Sequence, residues 1–465
     1  MTLQEKMFSE MADKTIFNKA KEYAYSYADS ALDRNVFPLE KAISNLVHFD
    51  EIMPEDKTDP DSIIEQLHNF GSPATVSQIG GRYFGLVNGG VIPVSLATKW
   101  LTDFWDQNTP LYITSPITSK LETVVESWLK KLFGLPSNVV AGFVSGTSMA
   151  IFCGLAAGRY KIFSKNNWDI NKNGLNDAPK IRIVAGKSTH GTVLKAVALL
   201  GLGIDNIEWV NVDKQGRIIP ELIPQLDENT ILILQAGNVN SGAFDDFETI
   251  IKKANKANSW VHIDGAFGLW ASGTKRLEHL TKGFEKANSW SVDAHKTLNA
   301  PYDSGILLCS DKDALVNALQ ANGSYIIYSE QRDGMLFTPE MSRRARVIEL
   351  WATLKYLGMN GVDELVFGLH ERAVQFAKEL KEKGFDIKND VVFNQVLVAC
   401  ETEEITNNTI TNIQESLECW VGGAVWKNES VIRISVCSWA TTKEDITRSV
   451  NAFVLARKKS HEDVK

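Results

Sequence analysis

The 465-residue sequence holds only five cysteines, Cys153, Cys309, Cys400, Cys419 and Cys437, and no two of them stand at CxxC spacing. That scarcity argues against a disulfide framework and a zinc site, and leaves buried free thiols as the expectation. No segment reaches the roughly eighteen uninterrupted apolar residues of a spanning helix. The opening Met1-Thr2-Leu3-Gln4-Glu5-Lys6 carries charge rather than an apolar run, so a cytoplasmic protein without membrane association is expected. Positive charge is not in excess: the formal net charge is -8, which argues against a chain-wide nucleic-acid surface. The run Arg457-Lys458-Lys459 is read as a solvated helix end. Repeats, low-complexity tracts, a Walker lysine pattern and a complete dinucleotide fingerprint are also missing.

What is present is ample apolar material. With 44% hydrophobic and 23% charged residues the chain can bury a large core and is long enough for two or three domains. Helix-like patterning at 20–31 and 39–47, followed by a polar, proline-bearing connection, predicts an N-terminal helical arm over 1–75. Between about 135 and 310, short β-rich runs recur at 139–144, 181–184, 207–212, 230–234, 260–263, 290–292 and 305–308. Most are continuously apolar rather than alternating, as strands covered on both faces are, and helical stretches such as 148–160 and 191–200 supply the covers. A wound α/β domain with a mostly parallel sheet is expected over 76–340. Helical patterning at 346–357 and 362–383, strands at 391–398 and 431–435 and helices at 406–417 and 442–456 then predict a small α+β domain over 341–465.

Five of the expected strand ends carry residues suited to chemistry. Trp260-Val261-His262-Ile263-Asp264-Gly265-Ala266 ends a strand in an aspartate, and Ser291-Val292-Asp293-Ala294-His295-Lys296-Thr297 ends the next in a lysine. A lysine amine can hold an aldehyde cofactor as a Schiff base, and a strand-end carboxylate can keep a pyridine nitrogen protonated, so the pair suggests a pyridoxal 5'-phosphate site. Val144-Ser145-Gly146-Thr147-Ser148 follows a strand and opens a helix, a setting in which backbone N–H groups and hydroxyls converge on an anion. Lys187-Ser188-Thr189-His190-Gly191 places an imidazole where open α/β sheets bind ligands. Gly237-Asn238-Val239-Asn240-Ser241-Gly242 ends a further strand in a polar loop, with Asn238 as a candidate neighbour of the imine or substrate.

An anion nest, a histidine, an aspartate and a lysine in this order resemble the pyridoxal-phosphate-dependent amino acid decarboxylases of group II, which include aromatic amino acid, histidine and glutamate decarboxylases. The resemblance runs from the helical arm through Arg82-Tyr83-Phe84 and Leu121-Glu122 to Arg433-Ile434-Ser435-Val436-Cys437. It implies the fold type I, transferase-like architecture with a seven-stranded sheet in the large domain. It further implies Lys296 as the Schiff-base lysine, Asp264 as partner of the ring nitrogen, His190 stacked on the ring and Ala266 against its opposite face. Ser145, Gly146, Thr147 and His295 would serve the phosphate. The implied activity is decarboxylation of an L-amino acid to its amine and carbon dioxide through a quinonoid intermediate, in a homodimer whose active sites draw on both subunits. Transamination, aldol cleavage and aldehyde-forming oxidative decarboxylation use the same cofactor residues, and a non-catalytic cofactor-binding regulator is a further reading.

The sequence departs from that family at three places. Where aromatic decarboxylases carry an aromatic Phe-Phe-x-Tyr-Phe-Pro-like segment, this chain reads Tyr83-Phe84-Gly85-Leu86-Val87-Asn88-Gly89-Gly90, which makes Asn88 a candidate substrate contact. Asn238 stands where several relatives have threonine. The loop over 322–337 is short, and of its tyrosines, Tyr325 and Tyr328, the latter is the candidate proton donor. Arg82 and Arg343 are the candidates for a side-chain carboxylate, and a neutral or aromatic substrate is favoured over an acidic one.

Overall fold

The computed structural model describes residues 1–320 and 328–463. Tyr325 therefore lies outside the described residues. The chain divides into two compact units, one made of Val87–Val398 with Arg433–Trp439, the other of Met1–Leu86, Ala399–Ile432 and Ala440–Lys465. The N-terminal arm thus shares one compact unit with about half of the C-terminal region, and the rest of that region, 341–398 and 433–439, belongs to the larger unit.

The larger unit is built on seven strands: β1 (Val140–Val144), β2 (Arg182–Gly186), β3 (Ile207–Val210), β4 (Thr230–Gln235), β5 (Trp260–Asp264), β6 (Ser289–Asp293) and β7 (Gly305–Cys309). They lie in the order β1-β7-β6-β5-β4-β2-β3. Strands β3, β2, β4, β5 and β6 run parallel, while β7 is antiparallel to both its neighbours. The short link 294–304 between β6 and β7 explains the reversal, since a parallel crossover takes a dozen or more residues. Every residue of β4, β5, β6 and β7 is buried, which is why those runs read as continuously apolar.

The helix Thr147–Lys165 covers one face of this sheet and buries Ala150, Ile151, Leu155 and Ile162. It lies close because Gly154 and Gly158 fall one turn apart: a Cβ on the first would come within 2.7 Å of the His262 ring, and on the second within 2.8 Å of Trp260. On the other face Phe133, Phe247, Trp270 and Trp290 fill the core, each burial contributing roughly 1.5–3 kcal/mol. The long helix Val347–Glu382 contains Gly358 at φ 59°, ψ −173°, a break that only glycine adopts without strain, so the two expected helices form one kinked run.

In the smaller unit the helix Leu3–Asp13 opens on a capping box between Thr2 and Glu5. The helices Glu403–Ser416 and Lys443–Asp463 pack together through Thr409, Asn412 and Ser460. Buried Arg82 is spent on the carbonyls of Arg34 and Glu418 and on an ion pair with Asp445. Among the described residues no helix is long and apolar enough to cross a membrane, and all five cysteines are free thiols.

Candidate active site

The C-terminal ends of β1, β2, β4, β5 and β6 and the turns that follow them surround a cavity of about 240 Å³ in the larger unit. Gly146, Thr147, His190, Asp264, Ala266, His295 and Lys296 all line it, as expected, together with Val87, Gln235, Phe267 and Asp293. Parallel strands end on the same side, so residues far apart in sequence converge without any special packing.

Lys296 sits three residues beyond the end of β6, and its Nζ lies 3.0 Å from Asp293 Oδ2. The same carboxylate accepts the Thr147 backbone N–H at 2.7 Å through Oδ1 and stands 3.5 Å from His295 Nε2. Asp293, almost fully buried, therefore ties the lysine to the first turn of the helix Thr147–Lys165. His295 Nδ1 accepts the Ser304 backbone N–H, which leaves the proton on Nε2, and the ring stacks on Tyr302 at 4.4 Å. Burial pushes the His295 pKa down and Asp293 pulls it partly back. Backbone packs hard against this segment: a Cβ on Gly89 would fall 2.1 Å from the Lys296 carbonyl oxygen, and one on Gly305 2.4 Å from Gly146 Cα.

Asp264 ends β5, is buried, and accepts the Ala266 backbone N–H at 3.2 Å. Burial raises its pKa, while His190 and Lys296 oppose the rise. His190 caps the helix Gly191–Leu199: Nδ1 accepts the Thr192 N–H at 3.2 Å and lies 2.7 Å from Thr192 Oγ1. Desolvation lowers its pKa, with Lys296 and Arg433 adding to the effect and Asp264 opposing it, so the neutral imidazole is favoured.

Six expected residues, Ser145, Asn88, Asn238, Tyr328, Arg343 and Arg82, do not line the cavity. Ser145 lies just before its lining residues. Asn88 accepts the Tyr302 hydroxyl at 3.1 Å. Asn238 is spent on its own loop, its Oδ1 accepting the N–H groups of Asn240 and Ser241 and its Nδ2 donating to the Ser188 carbonyl. Tyr328 is exposed beside Asp333, its pKa raised by slight burial and then by that carboxylate. Arg343 is buried on Glu122 Oε1 at 2.6 Å. Among the described residues no arginine lines the cavity. Sequence reasoning missed Asp293 and Gln235. The first was legible as an acid three residues before the lysine at a strand end, the second as a polar residue closing an apolar strand.

The donor set fits a phosphorylated pyridine aldehyde. Thr147 Oγ1 is buried with no hydrogen-bond partner, at the positive end of a 19-residue helix, which is where a phosphate finds unspent donors. Lys296 offers the amine, and buried Asp264 a carboxylate whose charge a protonated ring nitrogen would neutralise.

Fold and site together define a pyridoxal-phosphate-dependent enzyme of fold type I. The chain belongs to the pyridoxal-dependent decarboxylase family, whose conserved domain matches residues 44–400. It is 25% identical over 348 residues to the acidic amino acid decarboxylase GADL1 of Xenopus tropicalis, covering 72% of this chain and 67% of that protein. To its counterpart in Mus musculus it is 26% identical over 332 residues, covering 68% of this chain and 59% of that protein. The match thus spans about three fifths to two thirds of these relatives. The solved structure of Oryza sativa TDC with PLP and tryptamine superposes with a TM-score of 0.88 at 18% identity, covering 98% of this chain and 99% of that one. The enzyme class is a PLP-dependent carboxy-lyase acting on an amino acid.

Proposed function

We propose that this enzyme converts a neutral, preferably aromatic, L-amino acid to its amine and carbon dioxide, and that it works as a cytoplasmic homodimer. The observation that carries the proposal is the convergence of Lys296, Asp264 and His190 on one cavity whose lining includes no arginine among the described residues. Val87, Val239 and Phe267 offer the side chain apolar walls, and the nearby Arg433 guanidinium donates to the Val239 carbonyl at 3.4 Å rather than lining the cavity. The name carried by the two relatives favours an acidic substrate instead, so the side-chain preference is the point to test.

When bound, pyridoxal phosphate supplies an electron-poor ring that takes up the electron pair released at Cα. Thr147, Gly146 and the helix N-terminus would hold its phosphate, Lys296 its aldehyde carbon and Asp264 its ring nitrogen. Asp293 holds the Lys296 amine in place before loading. Asp264, shielded from solvent, acts at low dielectric and so keeps a proton on its partner more strongly than an exposed carboxylate could. His190, with Nδ1 fixed by Thr192, presents Nε2 as the nitrogen able to carry a proton to Cα. Its place in the cavity favours it over Tyr328 for that task.

The dimer proposal is supported by the helix Pro93–Trp105, which exposes Leu101, Phe104 and Trp105, and by exposed Ile113 and Ile117 beyond it. Turnover measured on aromatic, small neutral and acidic L-amino acids tests the substrate assignment. Aromatic substrates are expected to lead, and turnover confined to aspartate, glutamate or cysteine sulfinate would overturn it.

A further inference from the structure

Gln235 closes β4 and stands in register with Asp264 on β5. It is 4% exposed and lines the cavity, yet its Nε2 has no hydrogen-bond partner. Its backbone is fixed: the N–H donates to Asp245 Oδ2 at 2.8 Å, and Asp245 also receives the Ile218 N–H at 2.7 Å. A buried amide donor left unmade is costly, and such groups in folded proteins generally meet a ligand or water. Gln235 is among the residues that line the cavity in which the cofactor ring would lie.

The order of groups across the sheet indicates which acceptor it meets. The anion-binding turn follows β1, the lysine follows β6, Asp264 ends β5 and Gln235 ends β4, and the strands lie in that same order. On pyridoxal phosphate the phosphate arm and the 3-oxygen lie on opposite sides of the axis joining the aldehyde carbon to the ring nitrogen. With the phosphate at the β1 side and the axis between Lys296 and Asp264, the 3-oxygen edge falls toward β4. The phosphate, aldehyde carbon and ring nitrogen are already claimed, so the 3-oxygen is the remaining acceptor.

We infer that Gln235 Nε2 donates a hydrogen bond to the 3-oxygen of the bound cofactor, positioning the ring and stabilising the ionised form of that oxygen. This rests on the cofactor assignment of the preceding subsections. Gln235 is a residue that touches the cofactor, not one that moves a proton.

The test is a comparison of wild type and Gln235→Met, each titrated with pyridoxal phosphate and with its 3-deoxy analogue. The imine's own internal hydrogen bond to the 3-oxygen favours the natural cofactor in both proteins and so cancels in the comparison. Wild type is expected to prefer the natural cofactor about tenfold more strongly than Gln235→Met does, the size of one hydrogen bond to a charged acceptor. The visible absorption of the loaded variant should shift toward the form with a protonated 3-oxygen. A variant that binds both compounds more weakly by the same factor, or that changes only the KM for the amino acid, overturns the inference. Wild type that takes up neither compound overturns the cofactor assignment itself. Thermal unfolding of the unloaded variant, expected to match wild type, separates these outcomes from misfolding.

Discussion

Replacing Thr147 by valine should move stability and cofactor affinity in opposite directions. The Thr147 hydroxyl is buried and partnerless at the mouth of a helix, while its backbone N–H already serves Asp293. Valine keeps the shape and removes the hydroxyl. Leaving a buried polar group unsatisfied costs about 1–3 kcal/mol, so the unloaded Thr147→Val protein should gain on the order of 1 kcal/mol of stability, after discounting for valine's lower preference in a helix. The loaded protein loses a charge-assisted hydrogen bond to phosphate, worth about 1.5–3 kcal/mol, which is roughly a ten- to hundredfold weaker dissociation constant for pyridoxal phosphate. Thermal unfolding without cofactor and a fluorescence titration with it read the two effects. The titration should be repeated with inorganic phosphate, which isolates the anion contact from imine formation. Unloaded protein that is clearly destabilised, together with unchanged affinity for both ligands, would refute the reasoning that assigns this hydroxyl to the phosphate.

Other consequences follow from the same geometry. Lys296→Ala should abolish borohydride-trapped addition of the cofactor mass, and a retained adduct on another lysine would move the attachment site. Asp264→Asn removes a buried charge worth about 4 kcal/mol to a cation at ~4 Å, so turnover should fall about a thousandfold while unloaded stability stays within ~2 kcal/mol. Gly89→Ala forces a Cβ onto the Lys296 carbonyl, and cofactor loading and melting temperature should both drop, by about 1–3 kcal/mol in stability. His262 is buried between Ser289 and Ser291, with its pKa lowered to about 3 by burial. Its folded pKa is below the unfolded value of about 6.5, so the unfolded chain takes up the proton first, and stability is lost as pH falls from ~6.5 toward 3. His262→Asn should flatten that part of the stability profile, and an unchanged slope would show that His262 does not set it.

Much of the larger unit was legible because its strands are covered on both faces. The runs at 230–234 and 260–263 were recognisable from Ile231, Leu232, Ile233, Val261 and Ile263 alone. Each strand nevertheless extends one residue further, to Gln235 and Asp264, because the ends of a parallel sheet that form a ligand site must be polar and buried together. The run at 290–292 likewise grows to Ser289–Asp293, and the missed residue Asp293 proves to be the one that holds Lys296. The helix Leu3–Asp13 was overlooked although Thr2 and Glu5 spell a capping box, because it buries no residue and so shows no strong apolar stripe. The short strand Gly422–Trp426 begins with two glycines, which removes the β-branched signal. At the site, residue type revealed Lys296, Asp264 and His190, whose chemistry is rare at strand ends. It misjudged Asn238 and Arg343, because whether an amide or guanidinium is free depends on neighbours such as Ser188 and Glu122, which lie 50 and 221 residues away in sequence.

The most direct measurement is a single-sample balance of products. Purified, cofactor-loaded protein is mixed with a panel of L-amino acids in a stopped-flow absorbance experiment, and carbon dioxide, amine, aldehyde and keto acid are quantified in the same reactions. Carbon dioxide and the matching amine in equal amounts are the predicted result, with loss of both in Lys296→Ala. Aldehyde or keto acid with no amine would contradict the account and assign the site to a different outcome of the same cofactor chemistry.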